Sequence, residues 1–195
     1  TRRSSDLLAH ARVEHPPLKG PRIGIVTIGG SWGVALADAL EEEGLCVPEL
    51  STELQEKLRA LDMPPRASTR NPIDLGAAGM VSLPDRRQTL GRLLLESGEV
   101  DALVVHGLGR PGRITEMRSE DWKAFLRFEK WTVRQFVDLE RETGLPVLVG
   151  AHFAPWESQL VWDLNEKGIR IHNRLDEIAR VLAGMLRDDH RGPGG

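Results

Sequence analysis

Ile23-Gly24-Ile25-Val26-Thr27-Ile28, running directly into Gly29-Gly30-Ser31-Trp32-Gly33, is the stretch on which the fold turns. The first six residues are apolar and rich in β-branched side chains, with no polar alternation. That is the pattern of a strand buried on both faces. The glycines break the strand, and Ser31 is placed to cap a helix running to about Glu43, closed by Gly44. A buried strand that turns straight into a helix is the first half of a βαβ unit, so the same alternation is expected downstream.

It recurs. Leu45-Cys46-Val47 reads as a weaker second strand, and Ser51 or Thr52 caps a helix to Leu61. A loop from Met63 to Gly76 carries Asn71-Pro72-Ile73-Asp74, and Pro84 opens a helix to Ser97. Ala102-Leu103-Val104-Val105-His106 is a third strand, and Ser119 starts a long helix to about Glu142. Gly144 and Pro146 lead into a fourth strand, Val147-Leu148-Val149-Gly150, followed by a helix from about Trp156 to Glu166. Ile169-Arg170-Ile171-His172 is the fifth strand, and a helix spans about Leu175 to Leu186. Short strands with crossover helices predict an α/β fold: a five-stranded, doubly wound parallel sheet, flavodoxin-like, with strand order 2-1-3-4-5. Ligands then belong at the carboxyl ends of the strands, near the switch between strands 1 and 3.

The flanks differ in composition. Residues 1–20 are a polar, weakly helical segment followed by the proline-rich His15-Pro16-Pro17-Leu18-Lys19-Gly20, read as a linker. Residues 21–187 form the domain, and residues 188–195 read as an exit linker ending in Gly192-Pro193-Gly194-Gly195. The chain begins with Thr1 rather than Met, as an excised piece of a longer protein would. Across 195 residues there are 26 Lys and Arg against 29 Asp and Glu, a net charge of −3, so nothing electrostatic favours nucleic acid or an anionic membrane. No apolar run approaches the roughly 20 residues of a membrane helix. One cysteine, Cys46, excludes an internal disulfide and a thiolate metal cage. A reducing, cytoplasmic setting is expected.

The turn is the first candidate site. Gly29, Gly30, Ser31, Trp32 and Gly33 open a helix whose N-terminus carries unpaired N–H donors, as an anion site needs. The same glycines also suit any tight strand-to-helix turn. No Gly-Lys-Ser/Thr follows, so this is not a Walker loop, and no complete G-x-G-x-x-G is present. The stretch does match G-x-S-x-G, which makes a serine hydrolase with Ser31 as nucleophile the third reading.

A family resemblance runs along the domain. Lys19-Gly20-Pro21-Arg22-Ile23-Gly24-Ile25-Val26-Thr27, the glycine turn and Ala37-Asp38-Ala39-Leu40-Glu41-Glu42-Glu43-Gly44-Leu45 resemble one stretch of the NDP-forming acyl-CoA synthetases. Asn71-Pro72-Ile73-Asp74, Val100-Asp101-Ala102-Leu103-Val104-Val105, Gly144-Leu145-Pro146-Val147-Leu148 and Asp176-Glu177-Ile178-Ala179-Arg180-Val181-Leu182 follow in the family's order. The stretch is similar to their second flavodoxin-like, CoA-ligase module, also found at the end of the succinyl-CoA synthetase β chain. The resemblance implies a reaction interconverting acyl-CoA, NDP and phosphate with acid, CoA and NTP, through an acyl phosphate and a phosphohistidine. The phosphorylated histidine is expected in a different module. This domain is then expected to bind no cofactor alone: CoA, ATP/ADP and Mg belong to the other modules, with CoA-binding and ATP-grasp modules as partners and a homo-oligomer compatible. Its contribution is scaffolding, plus the helix N-terminus at Gly29–Gly33 offered to the phosphohistidine. Ile28 stands where relatives usually carry Asn, and Trp32 is bulky for that approach. Asn71 and Asp74 match the family's Asn-x-x-Asp and are candidates for an interface loop, or simply for a loop-fixing Asx turn. The alternative from another class is a noncatalytic regulatory or interaction domain of the same fold.

Two features lie outside the resemblance. His106, His152 and His172 each close a predicted strand, so three imidazoles along one rim are a candidate ligand site. Unless their side chains share a face they do not converge, and no metal is expected there. Trp122, Phe125, Phe128, Trp131 and Phe136 lie on one helix. Trp122, Phe125, Val133, Phe136 and Val137 can share a buried stripe, whereas Phe128 and Trp131 fit it less well and suit either a wide core face or docking. Cys46 is expected to be a small core residue.

Overall fold

A computed structural model describes residues 2–76, 87–113 and 119–189. Five parallel strands form one sheet: β1 (Ile23–Thr27), β2 (Ile73–Asp74), β3 (Ala102–Leu108), β4 (Val147–Ala151) and β5 (Ile171–His172). Their order is β2-β1-β3-β4-β5, the flavodoxin-like arrangement the alternation predicts. The described helices are α1 (Arg2–Glu14), α2 (Gly30–Glu42), α3 (Thr52–Arg59), α4 (Arg87–Glu96), α5 (Glu120–Thr143), α6 (Gln159–Asn165) and α7 (Leu175–Asp189). The expected start of the fourth helix at Pro84 lies outside the described residues. No described helix is long and apolar enough to cross a membrane.

Alternation along the strands sorts the core into two layers. Val26, Ile73, Leu103, Val105, Val147, Val149 and Ile171 face α3, α4, α5 and α6. Ile23, Ile25, Ala102, Val104 and Leu148 face α1, α2 and α7. All of β1, β3 and β4 is buried, which is why their sequences read as continuous apolar runs.

The edge beside β1 corrects the expected second strand. Leu45-Cys46-Val47 supplies only one bridge, Cys46 to Arg22, and the strand is Ile73–Asp74, in the segment expected to be loop. Between bridge and strand, the Asn71 carboxamide stands in for a strand residue. Its Oδ1 accepts the Ile25 N–H at 2.9 Å, and its Nδ2 donates to the Ile23 carbonyl at 2.8 Å. One side chain thus satisfies two backbone groups that a longer strand would have paired. Cys46, at this thin edge, is exposed rather than a core residue. The fifth strand is likewise shorter than expected, because the Asn165 side chain accepts the Ile171 N–H at 3.0 Å.

Two polar clamps hold strand entries. Asp101, just before β3, accepts from the Arg22 backbone N–H at 2.9 Å, from its Nε at 3.0 Å and from its Nη2 at 2.6 Å. Burial pushes the Asp101 carboxyl up, but the hydrogen bonds from Arg22 outweigh it and hold the group below the usual range. At the entry to β4, Glu140 accepts the Val147 N–H at 2.7 Å and meets His15 Nδ1 at 2.6 Å. The N-terminal segment and the linker after it pack on the domain: Ala11 of the segment and Leu18 of the linker are buried, and Leu8 sits against Gly184 of α7.

Helix α5 keeps the expected caps, Ser119 accepting the Trp122 N–H and Gly144 closing it at φ 67°. Val133, Phe136, Leu126 and Leu139 are buried, with Trp122, Phe125 and Val137 packed beside them. Phe128 and Trp131 fall off that stripe and stack on each other at 6.1 Å, with Trp131 exposed.

Candidate functional site

Register builds the site. Asp74, Thr27, His106, Gly150 and His172 are paired in one row across the carboxyl edge of β2, β1, β3, β4 and β5. In-register residues of parallel strands project to the same face, here the face covered by α2 and α7. Gly150 has no side chain in that row, and the His106 ring fills the space. A Cβ on Gly150 would stand 2.5 Å from His106 Cδ2.

Helix α2 starts where β1 ends. Its cap is Gly29, extended at φ −153° and ψ 113°, with no side-chain cap; Ser31 is not the cap expected from the sequence but an exposed residue of the first turn. The Gly29 N–H donates to Thr27 Oγ1 at 3.2 Å, and the Trp32 and Gly33 N–H groups donate to the Gly29 carbonyl at 3.0 and 3.1 Å. The N–H groups of Gly30 and Ser31 are left without an acceptor among the described residues. Helix α2 has no acidic residue in its first turn. Asp74 does approach: a Cβ on Gly30 would lie 2.9 Å from Asp74 Oδ2. Asp74 Oδ1 accepts the Gly76 N–H at 2.8 Å, an Asx turn. Gly33 brings helix and sheet together, since a Cβ there would stand 3.0 Å from both Pro72 Cβ and Thr27 Cγ2.

Trp32 leans onto the strand ends. Its ring lies 4.3 Å from His152 and 5.9 Å from His106, centroid to centroid, and His106 and His152 meet edge-on at 4.8 Å. Nδ1 of both imidazoles is buried without a hydrogen-bond partner among the described residues. Burial, and secondly the neighbouring His152, pushes His106 down to about 4. Burial also lowers His152. Both rings are therefore neutral near pH 7.

The three candidate histidines do not act as one group. His172 shares the face with His106 but bonds Glu177 Oε1 through Nδ1 at 2.9 Å. No group of three or more His, Cys, Asp and Glu placed to hold a metal occurs among the described residues. The interface candidates are also engaged locally: Asn71 in the backbone of β1, Asp74 at Gly76 and beside Gly30. Ser31 lacks the features of a nucleophile elbow. It sits in regular helix, the only described non-glycine with positive φ is Asp62, and no hydrogen bond ties Ser31 to a histidine among the described residues.

Sequence reasoning missed Thr27, whose hydroxyl brackets Gly29, and Gly150, whose missing side chain seats His106. It also missed the end of β3 and the loop after it. Gly107, inside the strand, and Gly109, just past it, take φ of 92° and 87°, and the Gly109 N–H donates to the buried Glu129 carboxylate at 3.0 Å. Arg110 lies 3.8 Å over the Phe125 ring and Arg113 4.3 Å over Trp162. The repeated glycines of Gly107-Leu108-Gly109-Arg110-Pro111-Gly112 were the available signal.

No family model matches the chain. It is similar to the alpha subunit of acetate–CoA ligase (ADP-forming) II of Pyrococcus furiosus, with 29% identity over 192 residues. That match takes in 97% of this chain, which spans only 39% of the relative's length. The alpha subunit of acetate–CoA ligase (ADP-forming) I of the same organism is 43% identical over 67 residues, 34% of this chain and 14% of that subunit. Among solved structures, a Pyrococcus horikoshii OT3 protein matches 97% of the chain and 40% of its own with a TM-score of 0.75 at 23% identity. The dinucleotide-forming acetyl-coenzyme A synthetase 1 of Candidatus Korarchaeum cryptofilum does so with a TM-score of 0.71 at 22% identity, over 97% of this chain and 38% of that one. At that identity the solved structures support the fold, and the kinship rests on the subunit sequences. The chain is a homologue of one segment of the ADP-forming acetate–CoA ligase alpha subunit, and it fits a CoA-ligase module of the NDP-forming acyl-CoA synthetases.

Proposed function

We propose that this chain works as the second CoA-ligase module of a multidomain NDP-forming acyl-CoA synthetase, where it scaffolds the other modules and offers the N-terminus of α2 to a phosphohistidine carried by one of them. The observation that carries this reading is the free pair of N–H groups at Gly30 and Ser31, at the carboxyl edge of the sheet, on a helix with a glycine cap. A helix N-terminus stabilises a phosphoryl dianion without a countercharge that would have to be moved during turnover. CoA, ATP/ADP and Mg bind in the other modules, and CoA-binding and ATP-grasp modules are the partners. The setting is cytoplasmic, and assembly into a homo-oligomer is compatible with the same arrangement. The named activity of the Pyrococcus furiosus relatives supports this choice over a noncatalytic domain of the same fold.

The division of labour is tested by assaying acyl-CoA formation from acid, CoA and ATP. The purified chain alone gives none, and the protein carrying all modules gives product. Product from the chain alone contradicts the reading.

A further inference from the structure

We propose that His106 and His152 complete the α2 terminus as a binding site for a phosphoryl oxyanion, each donating an N–H from Nδ1, with the Trp32 indole as its cover. The inference rests on the helix-terminus reading above and adds two donors, from β3 and from the end of β4, that the reading does not use.

The His106 side chain is 2% exposed. Its Cδ2 edge lies over Gly150, which turns the Nδ1 edge away from β4 and toward β1 and the first turn of α2. Its partner across that pairing is Thr27, whose hydroxyl brackets the cap residue Gly29. Among the described residues Nδ1 of His106 has no partner, and neither has Nδ1 of His152 in the adjoining ring. A buried polar atom in that condition costs about 1–3 kcal/mol, and folded proteins keep few of them. Two such atoms, in rings that Trp32 of the first turn of α2 reaches at 5.9 and 4.3 Å, lie on the rim where that helix begins and match a ligand rich in acceptors.

The electrostatics select an anion. Burial keeps both rings uncharged near neutral pH, so each has one N–H to give and the ligand supplies the charge. A cation is disfavoured by the positive end of the helix, and the described residues offer no third metal ligand. Asp74 opposes the anion from the Gly30 side, with Oδ1 engaged by Gly76, and so weakens binding without occupying the imidazole side. Trp32 is 43% exposed, its ring tilted by 39° against that of His152 at 4.3 Å.

The test is nitrogen NMR of the chain labelled with ¹⁵N in histidine side chains and in backbone amides. The probes are inorganic phosphate and phosphoimidazole. The expected result is saturable movement of both Nδ1 signals together with the Ser31 amide. His152→Ala, at a half-buried position, weakens binding about tenfold, the effect of one hydrogen bond to a charged group. Movement with both probes identifies the free ion as sufficient, whereas movement with phosphoimidazole alone identifies a phosphoryl group carried on a partner's histidine; either supports the proposal. If the Ser31 amide moves and the two Nδ1 signals do not, the imidazole role is overturned and the helix-terminus reading stands. If nothing moves with either probe, both are overturned.

Discussion

His106 shows how one residue's environment sets a pH dependence. In the unfolded chain its imidazole titrates near 6.5, and in the fold burial and His152 hold it at about 4. Between those values the unfolded chain binds the proton and the folded chain does not, so stability is full above pH 6.5 and falls as pH drops toward 4. The contribution of His106 amounts to roughly 3 kcal/mol between pH 7 and pH 4. Denaturant unfolding across that range should show a shallower loss of stability in His106→Gln than in the original chain. Equal slopes would mean that the ring is hydrated in solution. At the same row, Gly150→Ala places a methyl group 2.5 Å from His106 Cδ2 and 3.0 Å from Ile178 Cδ1. A loss of roughly 1–3 kcal/mol is expected from that overpacking, read as a lower denaturation midpoint with an unchanged m-value.

At the scale of elements, Gly91 and Asn71 make opposite points about local rules. Replacing a helical glycine by alanine ordinarily stabilises by about 1 kcal/mol. In α4, however, a Cβ on Gly91 would lie 2.7 Å from Leu139 Cδ1 and 2.9 Å from Phe136 Cε1 of α5, and Phe136 is buried. Gly91→Ala should therefore destabilise, and a raised melting temperature would contradict the packing described. Asn71→Ala leaves the Ile25 N–H and the Ile23 carbonyl unpaired, for a loss of roughly 2–3 kcal/mol in thermal or denaturant unfolding. These two positions also explain what was legible in the sequence. The buried strands and α5 announced themselves because an apolar run and a capped helix are local patterns. The true β2 did not, because Ile73–Asp74 is two residues long and the pairing beside it comes from a side chain. The helix start was misplaced by two residues, since Gly29 takes the extended cap conformation that Ser31 was expected to supply. The histidines were visible as residues at strand ends. Their grouping was not, because it depends on which ones share a register row and on the gap left by Gly150.

For the whole molecule, the order β2-β1-β3-β4-β5 brings the α2 terminus, Trp32 and the imidazoles of His106 and His152 to one rim, where the proposed reaction needs a phosphoryl site. In the proposed role, open N–H groups of α2 act on a phosphohistidine in the parent enzyme. The most direct measurement compares Gly30→Pro with Gly30→Ala in that enzyme, following phosphohistidine turnover. Both substitutions add the same Cβ against Asp74 Oδ2, but only proline removes the N–H, and it does so at the first helical position, where proline is tolerated. Turnover is expected to be at least about tenfold slower for Gly30→Pro than for Gly30→Ala, with melting temperatures of the two variants alike. Equal turnover in the two variants would contradict that role.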